Sequence, residues 1–165
     1  MNASDVMRQS RESALRLAEI DADLSAIRSR IFGQSDGIGT GISHTTVLDP
    51  TRKIDELIEA EERYADESAI CVRDVCAAET LVAGAQEAVL DMCVRMGMDP
   101  ISARVYTTCV CYALRMYYVE ARDLAYMAEM TGFDEDANDA MLRDALRTMD
   151  RIGIAHLKAC VKMEE

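Results

Sequence analysis

Tryptophan is absent, proline and histidine occur twice each, and glycine is limited to 8 of 165 residues. So few turn-formers exclude a β-sandwich or barrel, which needs many reversals. Two histidines leave little room for imidazole chemistry. A ferritin-like di-iron centre needs Glu-x-x-His pairs, but the residues three before His44 and His156 are Gly41 and Gly153. A Cys–His nucleophile needs a thiol beside the imidazole. His44 falls in a glycine-rich segment, and His156 has only Cys160 near it, close to the tail. No C-x-x-C pair exists among Cys71, Cys76, Cys93, Cys109, Cys111 and Cys160, so neither a zinc ribbon nor a thioredoxin-like site is expected. His156 and Cys160 can share a helix face, but two ligands do not make a metal site. Most of the thiols sit among Val, Ala, Leu and Met, the setting of small buried hydrophobes. The expectation is a chain that is not an enzyme and carries no metal or cofactor.

Long apolar runs are also missing. Val105 to Val119 is 15 residues, interrupted by Arg115 and bracketed by Arg104 and Glu120, against ~20 for a membrane span. Met1 to Ser10 lacks the apolar core of a signal peptide. A soluble cytoplasmic protein with no membrane partner is expected.

What is present is charge of one sign and a great deal of apolar surface. Half of the residues are hydrophobic, which rules out disorder as the main description. Lys and Arg number 18 against 30 Asp and Glu, a net charge of −12. Residues 1–50 carry a net −2, residues 51–100 a net −7 and residues 101–165 a net −3. No third is basic, and nucleic-acid affinity comes largely from Lys and Arg on phosphates. Direct DNA binding is therefore not expected. The acidity serves solubility, or it presents an acidic face to a basic partner.

The periodicity is helical throughout. Val6, Ser10, Ser13, Leu17, Ile20, Leu24, Ile27 and Ile31 alternate steps of three and four, the narrow seam of a helical hairpin or coiled coil. This predicts a helix over 4–32, capped by Ser4 and ended by Gly33. Residues 33–48 hold four of the glycines and read as a connection. No strand precedes Gly37, Gly39 and Gly41 and no Gly-Lys-Ser/Thr follows, so they are not a phosphate-binding loop. Asp49-Pro50 and Asp99-Pro100 each read as a cap and first turn. Between them, Thr51 to Glu67 carries 10 charges in 17 residues, and Ser68 to Met96 carries 6 in 29. The first part reads as an exposed arm with Ile54, Leu57 and Ile58 facing helix one. The second reads as core, with Gly84 a candidate break. Ile101 to Val119 is apolar all round, which predicts a central helix buried on every face, anchored by Tyr106, Tyr112, Tyr117 and Tyr118.

After Glu120 come two shorter helical patterns separated by Gly132, the second ended by Gly153. The segment 114–152 resembles region 4 of sigma factors, in the form seen in phage transcriptional regulators of the RinA/ArpU type. The matching residues are Tyr118-Val119-Glu120, Ala128-Glu129, Gly132-Phe133, and Arg143 with Ala145 and Leu146. That resemblance implies a helix-turn-helix over 121–152 and a setting in transcription control. The chain departs from it where the recognition helix begins. Asp134-Glu135-Asp136 and Asn138-Asp139 stand where a reader presents basic or amide side chains. Those acids are helix-capping groups, or the motif has lost DNA binding, or it meets a protein.

The fold expectation is all-α. A long antiparallel hairpin (residues 1–67) packs onto a helical core (68–165) that ends in a degenerate helix-turn-helix. The leading functional expectation is a small phage-type regulator acting through protein contacts, with an RNA polymerase component as partner. The alternative is an acidic DNA mimic that occupies a basic nucleic-acid-binding complex, a nuclease or a defence system. A third is a coiled-coil scaffold, with a homodimer as its simplest form. Candidate partner-binding residues are Glu59, Glu62 and Asp66 on the arm, then Asp134, Glu135, Asp136 and Asp139. Arg143, Arg147 and Arg151 form a basic stripe, with Lys158 and Lys162 further on. Asp139 and Asp144 can pair with that stripe.

Overall fold

The computed structural model describes residues 2–32 and 50–161. The glycine-rich connection, His44, the cap expected at Asp49, and Lys162 lie outside the described residues. Six α-helices follow one another, and no strand occurs among the described residues: α1 (Ala3–Phe32), α2 (Pro50–Arg95), α3 (Pro100–Leu114), α4 (Leu124–Thr131), α5 (Glu135–Ile152) and α6 (Ile154–Val161). No described helix is long and apolar enough to cross a membrane.

The start of α1 is a reciprocal cap. The Asn2 side chain accepts from the Asp5 amide at 2.8 Å, and the Asn2 amide donates to the Asp5 carboxylate at 3.0 Å. Ser4, the expected cap, lies inside the helix. With the orphan amide already satisfied two residues upstream, its amide (2.9 Å) and hydroxyl both donate to Asp150 of α5.

Cross-links between α1 and α2 run in antiparallel order: Arg30–Glu56, Arg28–Glu61 (2.8 Å), Asp23–Tyr64 (2.9 Å), Arg16–Glu67 (2.7 Å) and Ser13–Asp74 (3.1 Å). Ile20 and Ala60 are buried, while Leu17, Leu24, Ile27 and Leu57 are half-buried. Ile54 and Ile58 do not face α1 as expected; both are exposed. Positions 57, 60, 64 and 71 set the inner stripe of α2, and at 100° per residue 54 and 58 fall roughly a quarter turn or more away from it.

No break occurs at Gly84: α2 is one helix of 46 residues. The glycine serves a neighbour instead. A Cβ built there would lie 1.9 Å from the Leu157 carbonyl oxygen of α6. Every α-helix contributes to the main core, among them Met7, Leu81, Leu114, Met127, Met149 and Leu157. The N-terminal half of α1, read from sequence as part of the arm, thus supplies core residues.

The largest departure concerns the segment 101–119. The spacing widens after Leu114 into a π-helical turn (Arg115–Val119), closed by the Glu120 amide donating to the Arg115 carbonyl at 3.0 Å. Tyr118, Met116 and Val119 are buried there, with Tyr117 half-buried. But α3 is not buried on every face. Ala103, Thr107, Val110, Cys111, Ala113 and Leu114 point inward, while Ile101, Val105, Tyr106 and Tyr112 are exposed. The reason is supply. Among the described residues, the first half of α3 packs against the end of α2 and Ile152 of α5, in a small cluster around Val89, Cys93 and Ala103.

Candidate interaction surfaces

The acids of α2 divide into two sets by helical phase. Glu56, Glu61 and Glu67 are taken up by arginines of α1. The Arg16 guanidinium holds the Glu67 carboxyl below the usual carboxylate range through its hydrogen bonds, and the pair raises Arg16 in turn. Asp55, Glu59, Glu62 and Asp66 fall on the face turned away from α1. All four are exposed, and none makes an ion pair among the described residues. Arg63, beside them in sequence, lies against the Tyr64 ring, 4.9 Å from its centroid. The row runs over eleven helical steps from Asp55 to Asp66, ~16 Å at ~1.5 Å per residue.

The acids of α5 have a different fate. Asp134 is the N-cap, accepting from the Ala137 amide at 2.7 Å. Glu135 and Asp136 sit exposed in the first turn, where carboxylates oppose the helix dipole. Asp139 pairs with Arg143 at 2.8 Å and Asp144 with Arg147 at 3.0 Å. The expected basic stripe is therefore largely neutralised within its own helix; Arg151 makes no ion pair among the described residues. Asn138, placed by sequence among residues facing a partner, is fully buried. Its amide donates to the Thr131 hydroxyl and to the Phe133 and Asp134 carbonyls at 3.1–3.2 Å. It ties α4 to α5 across the turn at Gly132, which adopts a left-handed φ of 74°. The structure does not bring the α2 row and the α5 acids into one contact network; no bond links them.

An open cleft of about 460 Å³ lies between α2 and α3, lined by Glu79, Gln86, Thr108, Tyr112 and Arg115 among others. Arg115 is flanked by Glu79 and Glu120, each at 3.7 Å, so its charge is offset before any anion arrives. Three thiols are buried as expected (Cys71, Cys93, Cys111), but Cys76 and Cys109 are exposed and Cys160 half-buried. Burial pushes the Cys111 thiol up to about 11, which leaves almost no thiolate at neutral pH. Among the described residues no three His, Cys, Asp or Glu gather to hold a metal.

Sequence reasoning missed the exposed apolar face of α3, since an apolar run alone does not say how many neighbours will cover it. Comparison with family models, with characterised proteins and with solved structures finds no match. The likeness of residues 114–152 to phage regulators thus rests on its residues alone.

Proposed function

We propose that the chain is a non-catalytic regulatory protein that works through protein contacts. Its acidic row on α2 docks a basic, nucleic-acid-binding partner. The observation that carries this reading is the unpaired row Asp55, Glu59, Glu62 and Asp66. Four carboxylates over ~16 Å approach the charge density of one DNA strand, which carries about five phosphates in that length at ~3.4 Å each. A groove built for phosphates meets a similar field on this helix. The neutralised stripe on α5 supports a protein rather than DNA as the first partner, because Arg143 and Arg147 already have carboxylates. The regulatory setting comes from the resemblance of residues 114–152; a polymerase component and a nuclease are the two partners it and the acidic row suggest.

The test is capture from native cell lysate with the tagged chain and with a Glu59→Lys/Glu62→Lys variant. Basic partners released by added duplex DNA and by salt, and lost by the variant, are the expected result. Partners retained equally by the variant, or unmoved by DNA, defeat this reading.

A further inference from the structure

We infer that the outer face of α3 is the contact surface for a second copy of this chain. Ile101, Val105, Cys109 and Tyr112 fall at steps of four, four and three, so they share one face of the helix. That face is opposite the buried Ala103, Thr107, Val110 and Leu114. Ile101 is 78% exposed and Val105 59%, and Met96, at the end of α2, is 79% exposed. Soluble chains seldom leave such a set bare together, and a contiguous apolar patch of this size marks an interaction site.

Area and charge select the occupant. Met96, Met98, Ile101, Val105 and Tyr112 together expose roughly 600 Å², so two such faces bury about 1,200 Å², the lower end of the range for a specific interface. Two copies meeting on this face therefore have enough surface without recruiting another element. From Pro100 to Val119 the chain has no carboxylate at all, and Arg104 and Arg115 are its only charges. In a molecule of net charge −12, this is where a second equally acidic copy meets least repulsion. The helix itself offers a basic partner no carboxylate. An anionic membrane would be repelled by the rest of the surface. A two-fold arrangement with the α3 helices antiparallel sets the patch against itself, as an isologous dimer requires.

The electrostatic signature separates this association from the docking proposed for α2. Salt screens repulsion between like-charged copies, so self-association strengthens with salt, whereas acidic-row docking weakens. The experiment is sedimentation equilibrium of the full chain at about 50 µM and ionic strengths of about 0.05 and 0.5 M, beside Val105→Glu and Tyr112→Glu. A dimer that tightens at high salt is expected. Each substitution should raise its dissociation constant by ~10-fold or more with the circular dichroism unchanged. A chain monomeric at both salts, or a dimer indifferent to both substitutions, overturns the inference. Should either variant lose helicity, hydrogen exchange of the native chain decides. Protection over 101–112 that rises with concentration supports the dimer; protection independent of concentration refutes it. Binding of phosphatidylcholine vesicles by a native chain that stays monomeric would assign the face to lipid and also refute it.

Discussion

Thr107 carries a buried hydroxyl with no hydrogen-bond partner among the described residues. Its methyl packs on the core side of α3, so the oxygen gave up water without recompense. Thr107→Val keeps the shape and removes that debt. It is expected to stabilise the fold by about 1 kcal/mol and to raise the melting temperature by ~2–4 °C. A thermal melt at neutral pH checks it, and a lowered midpoint would show the hydroxyl to be satisfied. Asn138 is the opposite case, fully buried yet bonded to Thr131, Phe133 and Asp134. Thr107 falls in the segment read from sequence as buried, whereas Asn138 falls among the acids read as facing a partner. Polarity predicts exposure on average, and only the identity of the neighbours reveals which polar group has gone inside, and whether it is paired.

At the scale of elements, Gly84 decides how α6 lies on α2. Glycine in a helix interior ordinarily costs ~0.5–1 kcal/mol relative to alanine, so Gly84→Ala in an open helix would stabilise. Here the added carbon meets the Leu157 carbonyl at 1.9 Å. That is backbone, which can yield only if α6 moves. The expected outcome is a loss of about 1–3 kcal/mol in urea unfolding, with faster amide exchange over 154–161. The sign of the change is the test. A gain would return Gly84 to the role of a helix weak point. The π-helical turn is another feature with a cause in its neighbours. Ser10 donates to the Tyr118 carbonyl at 3.0 Å, and Arg11 donates to the carbonyls of Tyr117 and Arg122 while its guanidinium lies 3.9 Å from the centroid of the Tyr117 ring. These α1 side chains satisfy carbonyls that a widened turn and a left-handed Ala121 (φ 54°) release. Ser10 was legible as a seam position. Its bond was not, since it joins residues 108 apart.

Over the whole molecule, the long pairing of α1 with α2 rests on a thin apolar seam reinforced by ion pairs. Arg16 holds the Glu67 carboxyl below its usual range, chiefly by hydrogen bonding. The folded chain thus prefers the ionised form. That contribution is present above the ordinary carboxylate range and fades as pH falls through the depressed folded value. Arg16→Gln is therefore expected to lower the urea midpoint at pH ~7 and to lower it by less at pH ~3, as the carboxylate takes up its proton. An equal effect at both values would assign Arg16 a packing role instead. The acidic row on the outer side of α2 has no such partner among the described residues, so its charge is held for the surface.

The sequence by itself determined the helical class, the capping at Asp99 and the turn at Gly132. These follow from short-range rules, the 3.6-residue period and the needs of helix ends, which act within one turn of chain. Tertiary structure alone decided that α2 runs unbroken past Gly84, that Ser4 belongs to Asp150, and that α3 is covered on one side only. Each depends on which distant segments arrive and how much area they bring. An apolar helix is buried only as far as the rest of the chain has surface to spare, and here that supply ends before the outer face of α3 is reached.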